Sequence, residues 1–337
     1  MTQMLAGRLN VTTRTFELRE VPVPDPGHGQ VRIKVEAAGV CLSDVHLIDG
    51  TLSPVHLPGD EVTLGHEVAG TIEALGPGVD GLVEGQRVLL QAGEQTRDGT
   101  ILTRGVDYDG GWAELALARK DTVVVIPDDL PFEQACIIPD AVSTPWAAVS
   151  ETAGTRPGEA VAVWGVGGLG AHAVQLLRLI GAAPIIAIDP VEAARERATS
   201  LGADLALDPA DPAFRDAVMA ATDAKGLDVA FDFAGASPVR DQAFGVLGQF
   251  GRLVLVGLAN ASVTLPHDTF FSYMQQRVLG SYGSRPEHIE QLVKLVSRGR
   301  LDLSGSVSDV LPLSDAALAV ERLERKEGSP IRLILKP

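Results

Sequence analysis

The sequence predicts an α/β protein: a mostly β N-terminal region followed by a doubly wound parallel sheet. Three observations carry this. Up to about residue 140, segments rich in Val and Ile at alternating positions are separated by Gly and Pro clusters. From about residue 157, short apolar runs alternate with helical patterns. A glycine-rich turn stands near the start of that alternation. The 337 residues suit two domains, and 45 % hydrophobic against 21 % charged residues is enough apolar material for two cores.

In the first region, "VRIKVEAAGV" (31–40), "EVAGTIEALG" (67–76), "QRVLL" (86–90) and "GWAELALARKDTVVVIP" (111–127) read as strands, with "PDPGHG" and "GPGVDG" as breaks and few helix signals. In the second, "AVAVWG", "PIIAID", "LALD", "LDVAFDFAG" and "GRLVLVGL" read as buried parallel strands. Between them, "GLGAHAVQLLRLIGA", "VEAARERATSLGA", "PAFRDAVMAAT" and "PVRDQAFGVLG" read as helices. "RPEHIEQLVKLVSRGRL" (285–301) is a further amphipathic helix and "PIRLILKP" a closing strand.

Charge and cysteine content narrow the function classes. A formal net charge of −16 repels phosphate backbones and anionic lipid, so neither nucleic acid nor a membrane surface is an expected partner. Two cysteines make no disulfide framework, and "MTQMLAGRLN" has no apolar stretch of the signal-peptide kind; a cytoplasmic location is expected. Residues 160–188 are long and mostly apolar, but Gly165, Gly167, Gly168, Gly170 and Gly181 interrupt them, together with His172, Gln175, Arg178 and Pro184. Strand, turn, helix and strand fit that stretch better than a spanning helix.

Gly165-x-Gly167-x-x-Gly170 follows a strand and opens a helix, and the next strand ends in Asp189, nineteen residues beyond Gly170. The glycines permit a tight turn and close backbone approach to a pyrophosphate. The helix N-terminus adds unpaired N–H groups, and a carboxylate at the second strand's end can accept both ribose hydroxyls. A dinucleotide is the expected ligand. Asp189 favours NAD over NADP, and Arg195 and Arg197 are expected to pair with Glu192 and Glu196.

"GVCLSDVHLIDG" (39–50) puts Cys41 beside Ser43, Asp44 and His46; "TLGHEVAG" adds His66 and Glu67, and "IIPDAVSTPW" adds Asp140. Cys, His and Asp form a mixed donor set suited to zinc with one position left open. The spacing is too wide to be diagnostic. Cys41 as a buried thiol, His66 as a core histidine and Asp140 as a helix cap stand beside that reading.

Together, "GVCLSDVH", "LGHEVAG", "WGVGGLG" and "PIRLIL" resemble the zinc-dependent medium-chain dehydrogenase/reductase family, the alcohol dehydrogenases, in family order over nearly the whole chain. The resemblance implies a GroES-like catalytic domain over 1–141, a Rossmann NAD-binding domain over 142–282, and a C-terminal part, 283–337, that completes the first. It implies one catalytic zinc on Cys41, His66 and Asp140, with Glu67 able to swing onto the metal and Asp44 supporting the histidine. Ser43 would touch the reacting oxygen and His46 end a proton relay. Thr144 would contact the nicotinamide, Arg332 the pyrophosphate, and Trp112 would line the substrate pocket. The lobe "QAGEQTRDGTILTRGVDYDGG" lacks the cysteines that hold a structural zinc in many members, so none is expected there. Leu42 replaces a basic residue of some relatives, and Cys136 reads as core filling.

The implied activity is reversible, NAD-linked oxidation of an alcohol, secondary alcohols included, to an aldehyde or ketone by a homodimer or homotetramer. The alternatives are a zinc-bearing relative that oxidises polyols or reduces a conjugated double bond, and a non-catalytic nucleotide-binding relative.

Overall fold

The computed structural model describes residues 2–258, 261–265 and 267–337. The chain divides into two compact units, one formed by 1–141 with 286–337 and the other by 142–285.

The first unit is mainly antiparallel. Its larger sheet runs in the order Val123–Val125, Arg87–Leu90, Val68–Leu75, Gln30–Val40, Arg332–Lys336, Val307–Pro312, with Leu115–Arg119 also paired to Gln30–Val40. A three-stranded sheet places Gln3–Asn10 between Thr15–Pro22 and Glu61–Thr63. Gln30–Val40 is the organising strand. It alternates buried and half-exposed residues along its first half and is wholly buried from Ala37 to Val40. The chain's last strand pairs antiparallel with that buried end, Ile334 opposite Gly39 and Leu333 opposite Val40, and so delivers Arg332 beside Cys41.

The stretch expected as one long strand over 111–127 is broken into Leu115–Arg119, a 3-10 turn at Lys120–Thr122, and Val123–Val125. The helix Leu42–Asp49 carries Ser43 and His46. Cys41 is extended, with φ −110° and ψ 155°, and its N–H donates to Asp44 Oδ2 at 2.9 Å, which satisfies a donor at the helix start. Gly50, at φ 87°, ends the helix in the left-handed conformation that glycine adopts without a Cβ clash.

The second unit is a six-stranded parallel sheet in the order Leu205–Leu207, Ile185–Ile188, Val161–Trp164, Leu227–Asp232, Leu247–Leu255, Arg277–Gly280. Every residue of Val161–Trp164 and Ile185–Ile188 is buried, as expected of strands covered on both faces. The strand order reverses between Val161–Trp164 and Leu227–Asp232, which is where ligands sit in open α/β sheets. The apolar stretch 160–188 is a strand, the helix Gly168–Ile180 and a second strand. Among the described residues no helix is long and apolar enough to cross a membrane.

Candidate metal and cofactor sites

Four segments of the first unit converge behind Cys41. His66 follows Gly65, whose φ of 94° turns the chain out of the Glu61–Thr63 strand. Asp140 lies in a π-helical turn, Ile138–Val142, a widened geometry often found at functional sites. Arg332 opens the last strand. The donor atoms of Cys41, His66 and Asp140 all lie within 4.8 Å of one another. Asp140 Oδ2 is 3.5 Å from Cys41 Sγ and 3.5 Å from His66 Nε2.

These separations fit zinc. Ligand bonds of about 2.0–2.3 Å at tetrahedral angles put donor atoms roughly 3.3–3.7 Å apart. The electrostatics fit a cation as well. Burial lowers His66's affinity for a proton, but the Asp44 and Asp140 carboxylates together raise it well above the usual imidazole range. On the far side of the ring, His66 Nδ1 faces Asp44 Oδ1 at 3.6 Å; both atoms are buried and neither has a hydrogen-bond partner. Asp44 therefore caps the helix with one oxygen and faces the imidazole with the other.

Glu67 is fully buried. Its Oε1 accepts from the Ala141 N–H at 3.0 Å and from Arg332 Nε at 3.1 Å, whereas Oε2 has no partner. Burial pushes its carboxyl up to about 7 against the opposing pull of Arg332. Gly39 makes the room: a Cβ there would lie 1.9 Å from Glu67 Oε2.

Arg332, read as a pyrophosphate contact, is only 3 % exposed. Its guanidinium lies 2.9 Å from Glu67 and 3.2 Å from Asp140, and donates to Cys41 Sγ at 3.5 Å. It neutralises the acidic donor set, because pairing of the last strand with the Ala38–Val40 end carries it there. Trp112, read as a wall of the substrate pocket, is fully buried in the hydrophobic core, with its indole N–H donating to the Gly39 carbonyl at 3.0 Å. Ser43 borders the donor set, its Oγ 3.7 Å from Cys41 Sγ. His46 is half-buried three residues further along, on the same side of the helix.

In the second unit, Gly165 ends the first strand at φ 83° and Gly170 packs the helix onto the strand: a Cβ on Gly170 would lie 1.8 Å from the Gly165 carbonyl oxygen. Gly167 is exposed, and a Cβ there would meet nothing within 4 Å. Gly168 begins the helix Gly168–Ile180. This open cradle at a helix N-terminus fits a pyrophosphate. Asp189 Oδ2 accepts from the Val166 N–H at 2.8 Å and Oδ1 from the Val191 N–H at 2.9 Å, so the carboxylate braces the glycine turn and keeps a second lone pair on each oxygen. Arg195 donates to the Asp189 and Pro190 carbonyls and pairs with Asp208 rather than with the expected glutamates, and Arg197 donates to the Val166 carbonyl. Thr144 is buried on the short helix Ser143–Trp146.

Sequence reasoning missed a second carboxylate at the strand-order reversal. Asp232 ends Leu227–Asp232 opposite Trp164, accepts from the Gly235 N–H at 2.8 Å, and is held by buried Arg240 at 3.1 Å. The available signal was the same one that marked Asp189, an acidic residue closing a buried strand.

The comparisons with known proteins agree with this arrangement. Residues 27–128 match the alcohol dehydrogenase GroES-like domain, and 168–298 match the zinc-binding dehydrogenase family. An NDMA-dependent alcohol dehydrogenase from Amycolatopsis methanolica is 32 % identical over 98 % of both chains. The solved alcohol dehydrogenase of the archaeon Aeropyrum pernix is 31 % identical with a TM-score of 0.88, covering 99 % of this chain and 100 % of that one. An NAD-dependent alcohol dehydrogenase structure superposes with a TM-score of 0.89 at 28 % identity over the full length of both. With a mixed donor triad in a GroES-like unit and a glycine cradle in a Rossmann unit, this chain belongs to the zinc-dependent medium-chain dehydrogenase/reductase family.

Proposed function

We propose that this protein is an NAD-linked zinc alcohol dehydrogenase that reversibly oxidises a small alcohol, secondary alcohols included, to the aldehyde or ketone. The observation that carries the reading is the Cys41–His66–Asp140 triad, in which Asp140 Oδ2 lies 3.5 Å from each of the other two donors, a separation that suits a tetrahedral ion. Relatives named as alcohol dehydrogenases over nearly full length support it.

In this reading the 1–141 segment is the catalytic domain, completed by 283–337, and 142–282 is the cofactor domain. Cys41, His66 and Asp140 hold the metal, and the unpartnered Glu67 Oε2 is the spare ligand. When bound, zinc would supply Lewis acidity toward an alcohol oxygen and NAD a hydride acceptor. Ser43 would accept the hydroxyl proton while giving up its own toward His46, one helical turn on, which would hand a proton to water. Asp44 fixes the His66 tautomer, and Arg332 balances the buried negative charge. The same reading makes the protein a cytoplasmic homo-oligomer, a dimer or tetramer, without nucleic-acid partners.

A panel of primary, secondary and aromatic alcohols and polyols, followed by absorbance of the reduced nicotinamide with both cofactors, tests this. Turnover with simple alcohols and NAD is expected. Turnover confined to polyols, or only reduction of conjugated double bonds, would replace the substrate assignment. Binding of NAD without turnover of any substrate would leave a nucleotide-binding relative.

Cofactor choice is assigned to Asp189. Hydrogen bonds to a charged group contribute roughly 1.5–3 kcal/mol, or about ten- to a hundredfold in affinity. Asp189→Ala is therefore expected to narrow the NAD-over-NADP ratio of kcat/KM by about that factor. It should also lower Tm, because the Val166 N–H loses its acceptor. An unchanged ratio would leave Asp189 a brace of the turn and nothing more.

A further inference from the structure

We propose that Trp112 is a positioning residue for the metal site: its indole fixes the two segments that present Cys41 and His66. The inference rests on the zinc reading of the triad and concerns residues outside it.

The ring touches both ligand-bearing segments. Its N–H donates to the Gly39 carbonyl at 3.0 Å, two residues before Cys41. Its pyrrole ring packs against Gly65, the residue before His66; a Cβ at Gly65 would stand 2.2 Å from the indole Cδ1 and 2.8 Å from Nε1. The main chain repeats the arrangement. The Trp112 N–H donates to the Leu64 carbonyl at 2.9 Å, and the Gly111 N–H donates to the Gly65 carbonyl at 2.9 Å. Phe16 meets the indole edge-on, with centroids 5.7 Å apart at 77°, and touches neither Gly39 nor Gly65 in the contacts that hold the ligand segments.

Gly39 is held on two fronts. Trp112 grips its carbonyl, and the Glu67 carboxylate occupies the space where a side chain would begin. Turning the Gly39 peptide would swing the Cys41 thiolate and crowd the carboxylate together. Metal sites tolerate ligand displacements of only about 0.2 Å, so rigidity behind the ligands becomes affinity for the ion. Tryptophan suits this place because a large flat ring fills the space over Gly65 while its one polar atom is a donor, aimed at an acceptor. Phenylalanine would keep most of the packing and lose the grip on Gly39.

The test is zinc release from the purified holoenzyme to a chromogenic chelator. Trp112→Phe is expected to release zinc about 10–100-fold faster than the wild type, the usual scale for losing an outer support of a metal ligand. Phe16→Leu, which trims the opposite side of the ring and lowers Tm, is expected to release it at the wild-type rate. Wild-type release from Trp112→Phe overturns the proposal, and so does equal acceleration in both variants, which would reduce Trp112 to core filling. Should Trp112→Phe fail to fold, wild-type enzyme supplies the readout, because coupling between two sites is reciprocal. Zinc should slow exchange of the Trp112 indole proton. It should leave unchanged the Trp164 indole, which donates to Gln242 at 3.3 Å in the other unit. Identical Trp112 exchange with and without zinc overturns the proposal. A wild-type enzyme that retains no zinc overturns the metal reading instead.

Discussion

Cys41→Ala is expected to remove the zinc, about one ion per chain in the wild type, and to lower kcat/KM at least about a thousandfold, or about 4 kcal/mol of transition-state stabilisation. The fold should survive. Without the thiolate, Arg332 keeps Glu67 at 2.9 Å and Asp140 at 3.2 Å, so no buried charge is left alone. The Cys41 N–H keeps its bond to Asp44, so the helix start is unchanged. The ion joins a site inside a unit whose core of Val35, Ala38, Val40 and Leu64 does not depend on it. Elemental analysis, circular dichroism and steady-state kinetics on the same preparation decide it. Zinc retained at the wild-type level would show that Cys41 is a core thiol, and two tightly held ions per wild-type chain would show a second site that the sequence does not predict.

What the sequence revealed depended on how local each signal was. The glycine turn, the helix behind it and Asp189 lie within one strand–helix–strand unit, where backbone geometry and spacing are set over about 25 residues. The buried parallel strands were legible because both faces are covered, so they appear as unbroken apolar runs. The donor set was legible only as residue types of suitable chemistry; what brings them together is pairing across the chain. Arg332 shows the limit. Its neighbours Cys41, Glu67 and Asp140 lie at least 192 positions away, and nothing near residue 332 announces the antiparallel register of Leu333 with Val40. The surroundings of Trp112 were hidden for the same reason. An aromatic after two glycines fits a pocket wall as readily as a core position, and the choice was made by Gly39 and Gly65, which are too far away in sequence to be read locally.

The two glycines of the cofactor cradle should separate what the fold requires from what the dinucleotide requires. Gly170→Ala puts a methyl group 1.8 Å from the Gly165 carbonyl oxygen and 2.9 Å from its carbon. These are backbone atoms at the end of a buried strand and cannot turn aside, so the helix Gly168–Ile180 must lift from the sheet. Overpacking of this kind costs about 1–3 kcal/mol or more, and Tm and NADH affinity should fall together. Gly167→Ala is different. Gly167 has φ −83° and ψ −147°, and its new methyl group would meet no protein atom within 4 Å. Tm should fall far less than in Gly170→Ala, since the exposed methyl group overpacks nothing. The methyl group does, however, stand in the approach to the helix N-terminus that a pyrophosphate must use. NADH affinity, titrated by nicotinamide fluorescence, should therefore weaken at least about tenfold, or about 1.4 kcal/mol. A loss of affinity at Gly167 much larger than its loss of stability places the dinucleotide at this turn. If Gly167→Ala instead binds NADH as the wild type does, the turn serves only helix–strand packing, and the dinucleotide must be sought elsewhere.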